Sequence, residues 1–525
     1  MSFEEKYGVR PLVVITTVLG VFMAVLDSEV VNVAIPKMTS VFSTTQSTIS
    51  WVVTIYLLTQ GMLTPASGFI GERYGYKKVF LFALAEFTLG SALCGVSWSV
   101  ESIIFFRVIQ AIGGAMLIPL SMAILFSLSK PEKRGVIMGF WGIAIIFAPA
   151  FGPTLGGYFV EYLDWRLIFF INVPVGIAGF FMAKTILPEF PARKMYRFDM
   201  PGLATSLPGF FCLLYALSDV PNSGWASLKI ISLLTASVIL LSLFVVLELT
   251  TEYPMLDLRL LKNRIFTVSV VATGLISMTM LGILFILPVF LQNGLGLSPL
   301  QTGLLTMPGA LATGFLMPVS GAMFDKVGAR IPAAFGIFLV LCLSILLTNI
   351  NIEWSFTSIM MLYMFRSTGM GLSNMPINTA GMNAVPRPQI SQATALMNTM
   401  RMVAGSLGTA ILSTAMQSHT NYALNSYLQN ISTHSLQQIS NYGLTSSVYG
   451  LTKPNEMLHI MLFLKQIAFQ SGTQYAMKIS VIFAALALLS VMAIGKKQEH
   501  VATGEPQHLI TEQENSHIPI DMTSP

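Results

Sequence analysis

The chain has 525 residues, of which 54% are hydrophobic and only 10% charged, with a formal net charge of +5. A soluble protein of this size carries about 25% charged residues, so the composition excludes a water-soluble globular chain. Long continuous apolar runs also exclude a transmembrane β-barrel, whose strands alternate over about ten residues, and the positive balance reads as membrane topology, with no nucleic-acid partner.

Each apolar run of about 20 residues predicts a helix, because backbone groups in lipid need internal partners. The runs fall near 12–34, 48–70, 79–98, 102–127, 135–159, 167–187, 203–219, 228–250, 266–291, 301–323, 331–349, 356–380, 393–416 and 474–494. That gives fourteen expected spans, the run at 203–219 being the weakest. Lys6 and Arg10 precede the first run in the manner of a signal peptide. No small-x-small cleavage site follows, and the run passes straight into "VVNVAIP", so an uncleaved first helix is expected.

Lys and Arg placement sets the orientation. With the N-terminus cytoplasmic, twenty basic residues fall on the inner side and six on the outer, and three lie inside spans. Both termini are therefore expected in the cytoplasm. The domain reading is an N-tail over 1–11, a six-helix bundle over 12–187, an inserted segment with two extra helices over 188–265, and a second six-helix bundle over 266–494. The second bundle includes an external polar loop at 417–473 with a sequon at Asn430, and 495–525 reads as a disordered tail. Cys94, Cys212 and Cys342 lie singly in apolar runs, so neither a disulfide framework nor a metal site is expected.

The two bundles echo one another. "PASGFIGERYGYKK" (65–78) returns as "PVSGAMFDKVGAR" (318–330), matching Pro65 to Pro318, Gly68 to Gly321, Glu72 to Asp325 and Gly75 to Gly328 at an offset of 253. "FR" at 106–107 returns at 365–366, and the Gly152/Gly156 pair has a weaker echo in "AGSLG" at 404–408. Two parallel halves with a central site are the arrangement of a two-bundle transporter.

Five motifs in order carry a family resemblance over 12–494. "GFIGERYGYKK" resembles the loop 2–3 signature of the major facilitator superfamily, "RVIQAIGG" its helix-4 motif and "APAFGPTLGG" its helix-5 antiporter motif. "LDSEVVNVAIP" and "DWRLIFFINVPVG" resemble the fourteen-helix drug:proton antiporter subfamily of EmrB/QacA type. The resemblance implies an all-α polytopic fold in which two six-helix bundles flank two inserted helices. It also implies proton transfer involving Arg107, a cytoplasmic latch at Glu72, Arg73, Lys77 and Lys78 with a second at Asp325, Lys326 and Arg330, and a pivoting helix at Pro149, Gly152, Pro153 and Gly156. Two residues depart from the pattern: Glu72 stands for the usual Asp, and Glu29 for the usual Thr.

Charge inside the bilayer costs at least ~2.5–3.5 kcal/mol per residue on insertion scales. Only Asp27, Glu29, Glu86, Arg107, Arg366 and Arg401 lie well inside expected spans, and all six His lie outside them. The proton-coupling candidates are therefore Asp27, Glu29 and Glu86, with Arg107 as the tuning cation. Each acid has a structural alternative: hydrogen bonding for Asp27, an interfacial position for Glu29, and a buried ion pair for Glu86. Asp27 and Glu29 are about 200° apart on one helix and serve different faces, while Asn32 lies on the side of Glu29. Arg107, Gln110 and Gly114 form one stripe. Asn32, Trp51, Tyr56, Gln60, Met62, Gln110, Met375 and Asn378 are candidates for lining a substrate pocket, although most Met and aromatic residues in such a chain simply pack.

The expected function is proton-coupled efflux of hydrophobic, often cationic compounds across a bacterial inner or plasma membrane. It needs no cofactor, its partners are the bilayer, small substrates and protons, and a periplasmic adaptor protein joins them where the host has an outer membrane. The alternative is a dedicated secondary transporter of one metabolite or an ion-coupled uptake carrier. An enzyme is disfavoured because HExxH, GxSxG and P-loop motifs are missing.

Overall fold

The structure, a computed structural model, describes residues 9–190, 198–433 and 454–494. The tail expected at 495–525, the basic residues Arg193, Lys194 and Arg197, and the middle of the expected external loop lie outside the described residues. All the long elements are helices. The first half holds α1 (Pro11–Val41), α2 (Trp51–Tyr74), α3 (Tyr76–Gly95), α4 (Val100–Leu128), α5 (Arg134–Tyr162) and α6 (Leu167–Ile186). Next come α7 (Met200–Ser223) and α8 (Leu228–Thr250). The second half holds α9 (Arg264–Asn293), α10 (Pro299–Val327), α11 (Arg330–Leu347), α12 (Phe356–Asn383), α13 (Ile390–Thr433) and α14 (Pro454–Met492).

Local chemistry sets the helix ends. Ser99 and Ser102 close a reciprocal capping box ahead of α4, and Ser298 with Gln301 does so ahead of α10, where Pro299 occupies the first turn. Asn263 accepts from the backbone of Ile265 and Phe266 to start α9. Helices α2 and α10 both stop on glycine, Gly75 at φ +88° and Gly328 at φ +81°. Side chains with a Cβ rarely adopt that conformation. The glycines of the sequence repeat therefore mark the same backbone turn in each half.

Eleven described helices are long and apolar enough to cross a membrane. The other three, α2, α12 and α13, coincide with the expected spans 48–70, 356–380 and 393–416 but are more polar. Their buried faces explain the difference: Gln60 and Thr64 on α2, Arg366 and Asn378 on α12, Gln392 and Asn398 on α13. These helices also pack across the divide between halves, α2 on α13 and α12 on α5.

Helix pairing repeats from one half to the other. In the first, α1 packs on α4, α5 and α6, α2 on α4, and α3 on α4 and α6; in the second, α9 packs on α12, α13 and α14, α10 on α12, and α11 on α12 and α14. The halves meet through α5 with α10 and α2 with α13, which are equivalent seams. Helices α7 and α8 form a hairpin outside both bundles, with α7 resting on α2 and α13.

One expectation needs correction. The chain from 417 is not a loop: α13 continues to Thr433, and α14 begins at Pro454. Residues 417–433 contain neither Gly nor Pro to stop a helix, and Ala423 is buried, so α13 propagates beyond the apolar run.

Both seams are closed at the basic end. At the end carrying the basic loops, a Cβ on Gly321 would lie 2.0 Å from the carbonyl oxygen of Gly135, and one on Gly68 would lie 2.8 Å from that of Ser391. At mid-depth Phe147 meets Phe315 with ring centroids 5.8 Å apart. Towards the other end, Gly157 and Gly303 have nothing within 4 Å of where a Cβ would stand, and Phe151 and Leu304 are exposed. The halves are clasped at the basic end.

The clasp makes Gly321→Val informative. With no room beside Gly135, the variant forces α5 from α10, and labelling of Ser320→Cys by a water-soluble maleimide rises about tenfold, the equivalent of ~1.4 kcal/mol. Ser320 is fully buried in the native structure. Unchanged labelling contradicts a closed basic end.

Candidate functional site

Asp27 lies on the face of α1 turned into the first bundle and is buried. Arg107 of α4 forms an ion pair with it through Nη1, and both side chains are fully enclosed. The same Nη1 donates to Gln110 Oε1 at 2.7 Å, while Gln110 Nε2 donates to Asp27 Oδ1 at 2.9 Å. Asn172 of α6 donates to Asp27 Oδ1, also at 2.9 Å, and to Ser91 Oγ of α3 at 3.0 Å. Ser91 in turn donates to the carbonyl of Phe169 at 2.9 Å. Arg107 Nε donates to the carbonyl of Val52 on α2 at 3.1 Å, and the guanidinium lies 4.1 Å from the centroid of the Tyr56 ring. Five helices thus converge on one buried charge pair.

The pair is satisfied from several sides. Arg107, Gln110 and Asn172 direct donors at the Asp27 carboxylate, and the ring face of Tyr56 adds a cation–π contact to the arginine. Enclosure also keeps substrate out, so direct displacement of a proton from Asp27 by a compound in the cleft does not fit the geometry. Tyr56 donates to the carbonyl of Ala24 at 3.2 Å, and Gln60 to that of Gly114 at 3.3 Å. Gln110, Tyr56 and Gln60, expected as pocket residues, are therefore interior members of the first bundle.

Glu29 faces away from this network, against α5. A Cβ on Gly152 would lie 2.7 Å from the Cβ of Glu29, and one on Gly156 would lie 3.0 Å from the carbonyl of Val30. The small-residue face of α5 is thus the seat of α1. Glu29 is half-buried and has no ion-pair partner among the described residues. Asn32 is exposed and donates to the carbonyl of Ser28 at 3.2 Å, leaving Glu29 alone. Pro149 is half-buried, and the side chain of Pro153 lies outside the described residues. Glu86 is half-buried without an ion pair among the described residues, and Gly90 and Gly113 bring α3 and α4 together.

The remaining candidates scatter. Trp51 packs on Tyr215 of α7 with centroids 5.4 Å apart, and Met62 packs against the main core. Met375 is buried where α12 meets α5, its Cε 3.0 Å from where a Cβ on Gly142 would stand. Asn378 Nδ2 donates to Asn374 Oδ1 at 2.6 Å, and its Oδ1 accepts from Arg401 Nη2 at 3.1 Å.

Both expected latches lie in the clasp. Asp325 accepts from the backbone of Gly135 at 3.0 Å and of Val136 at 3.3 Å, at the positive end of α5. Glu72, buried near the start of α13, accepts from Gln392 Nε2 at 3.3 Å, and Ser391 Oγ donates to the carbonyl of Gly68 at 3.0 Å. Arg134 Nη1 adds a bond of 2.7 Å to Asn383 across the same divide. The basic residues play lesser parts: Lys77 pairs with exposed Glu189 at 3.1 Å, Arg73 stands over the Phe198 ring, Lys78 and Lys326 are exposed, and Arg330 is half-buried.

Sequence reasoning missed Asn172, Ser91 and Gln392. Asn172 was legible in principle as the lone amide in the apolar run "LIFFINVPVG". It also missed the polar stitching of the inserted segment. Asp199 accepts from the backbone of Gly202 and Met255, Glu248 accepts from that of Leu256 at 3.0 Å, and the backbone of Asp257 donates to Gln392 Oε1 at 2.9 Å.

Removing one member of a buried pair strands the other, at a cost of ~3–5 kcal/mol. Asp27→Asn is expected to lower thermal stability in detergent strongly, and Asp27→Asn/Arg107→Gln, which restores neutrality, to recover part of the loss. A single variant as stable as the wild type contradicts the network's structural role.

The comparisons place this geometry among known proteins. Residues 17–409 match the Major Facilitator Superfamily. The chain is 37% identical over 420 residues to the uncharacterized MFS-type transporter YhcA of Bacillus subtilis (strain 168), covering 80% of this chain and 79% of that one. It is 32% identical over 408 residues to the multidrug export protein EmrB of Haemophilus influenzae, covering 77% of this chain and 80% of that one. Its fold is similar to that of the proton:xylose symporter XylE, with a TM-score of 0.60 at 14% identity over 94% of this chain and 97% of that chain. The chain is a multi-pass membrane transporter, and it belongs to the Major Facilitator Superfamily.

Proposed function

We propose that this transporter exports hydrophobic compounds, cationic ones among them, in exchange for protons, with both termini and the clasped end of the two halves on the cytoplasmic side of a bacterial cell. The observation that carries this reading is the enclosed Asp27–Arg107 pair on α1, the helix whose opposite face seats α5. Protonation of Asp27 removes the negative partner from Arg107 and loosens the hold of α4 and α6 on α1. The change passes through the Glu29–Gly152 and Val30–Gly156 contacts into α5, whose other end is clasped to α10. A proton site sealed from substrate thereby acts on the gate through packing. A periplasmic adaptor belongs to this proposal only where the host has an outer membrane.

The energetics suffice. One proton moving inwards supplies ~2.3 kcal/mol per 100 mV and ~1.4 kcal/mol per pH unit. Together these approach three decades of concentration. A monocation exchanged for one proton is electroneutral and draws on the pH difference alone. Glu29, half-buried and without a basic partner among the described residues, is the acid we assign to cation recognition. The name of the relative EmrB supports drug export, and the two-half symmetry supports alternating access.

Everted vesicles test the reading. After energisation, lipophilic cations are expected to release protons from vesicles holding the wild type and not from those holding Asp27→Asn at matched insertion, with Asp27→Asn/Arg107→Gln substituting if the single variant fails to accumulate. Glu29→Gln is expected to keep release while raising the cation concentration needed about tenfold. No release from the wild type with any compound overturns proton-coupled drug export.

A further inference from the structure

The halves share their helix pairing but differ in charge. Arg366 stands at the offset of 259 from Arg107, yet the same offset carries Gln110 to Gly369, and the offset of 253 carries Asp27 to Met280. Beyond residue 264 the only acids before 494 are Asp325, Glu353 and Glu456, the first in the clasp, the second between α11 and α12, and the third near the start of α14. The second half therefore holds two guanidiniums in its membrane interior with no carboxylate there to balance them. Arginine does not shed its proton in proteins, and a buried charge without a counter-charge costs several kcal/mol.

The two differ in what they can reach. Arg366 is enclosed between α11 and α12, where Nε donates to Ser344 Oγ at 2.9 Å and Nη2 is buried with no hydrogen-bond partner. Arg401 is half-buried on α13, beside Met402, whose sulfur accepts from Thr64 Oγ1 at 3.7 Å across the divide. That contact belongs to the seam between α2 and α13, so Arg401 is the immediate chain neighbour of a seam residue. Its Nη2 is held by Asn378, which Asn374 orients through two bonds of 2.6 and 2.9 Å, and its buried Nε has no partner. The guanidinium is thus aimed by a two-amide relay, with donors left over.

We propose that Arg401, positioned by Asn378 and Asn374, is a recognition site for an oxyanion, a carboxylate or sulfonate, carried by a transported amphiphile. The planar fork of arginine matches such groups, and the unbalanced charge of this half favours them. The proposal rests on the substrate path running between the two halves, as in the proposed exporter, and it widens the exporter's range from cations to compounds bearing an acidic group. A lipid phosphate has the same chemistry and is separated by the test.

Equilibrium binding to the purified full chain decides it, using a fluorescent naphthalene carboxylic acid and its methyl ester. The acid is expected to bind the wild type at least about tenfold tighter than the ester. Arg401→Met is expected to abolish that preference, and Arg401→Lys, which keeps the charge without the fork, to retain a reduced part of it. Asn378→Ala is expected to weaken acid binding and leave ester binding unchanged. Equal binding of acid and ester by the wild type overturns the site, as does an undiminished preference in both Arg401 variants. In nanodiscs, loss of acid binding on replacing phosphatidylcholine by phosphatidylglycerol reassigns the site to a lipid headgroup and overturns the substrate assignment. Because binding is measured without a gradient, its outcome stands whether or not the vesicles release protons.

Discussion

A charge brought into the membrane interior has to be neutralised where it stands, and the first half of this protein is organised around that requirement. Asp27 and Arg107 satisfy each other, but a carboxylate has more lone pairs, and a guanidinium more N–H groups, than one contact uses. Gln110, Asn172 and the carbonyl of Val52 take up much of the remainder. Each comes from a different turn or helix, so satisfying the pair fixes α1, α2, α4 and α6 together, with α3 joined through Ser91. Apolar packing alone discriminates weakly between neighbouring arrangements of greasy helices, because lipid is as apolar as leucine. A polar network of defined geometry discriminates strongly.

Among the described residues, the opposite face of α1 carries no comparable hydrogen-bond network, Glu29 standing there without an ion-pair partner. Its contact with α5 consists of glycines against backbone and Cβ atoms, which permits close approach and depends on shape alone. The two faces make α1 the element that joins a buried charge network to a close-packed interface. At the far end of α5 the clasp is electrostatic again, with Asp325 at the helix start. The equivalent clasp is not identical. Glu72, one methylene longer than the aspartate of its motif, engages the side chain of Gln392, and Gln392 also accepts from the backbone of Asp257. One clasp is a direct carboxylate-to-helix contact; the other is tied into the connection that follows the inserted helices.

Much of this was legible in the sequence and some was not. Helix positions followed from apolar runs, and the duplication followed from repeated Pro and Gly whose backbone roles recur, as Gly75 and Gly328 show. The charged residues inside spans were identifiable because the bilayer makes them costly. Their partners were not, since Asn172 and Asp27 are far apart in sequence and hydropathy gives no distances. Tyr56, Gln60 and Gln110 read as pocket residues because a polar side chain on a membrane helix has two destinations, a cavity or another helix, and periodicity does not separate them. Helix α13 outran its apolar segment for a related reason: hydropathy reports where lipid ends, whereas helix propagation stops only at a breaker.

The inserted hairpin breaks the symmetry that the bundles keep. Helix α7 lies along the seam between α2 and α13, with Leu214 2.3 Å from where a Cβ on Gly61 would stand and Tyr215 against Trp51. The equivalent seam between α5 and α10 leaves Phe151 and Phe315 exposed. One seam is therefore covered by protein, while the other presents aromatic side chains outwards. Because α7 touches both halves, any rocking of one half against the other slides α7 over α2 or α13. The absent side chain of Gly61 is what lets Leu214 sit between them. The Asp199, Glu248 and Asp257 contacts hold the exit of the hairpin to the basic end, so the covered seam and the clasp are joined through one connection.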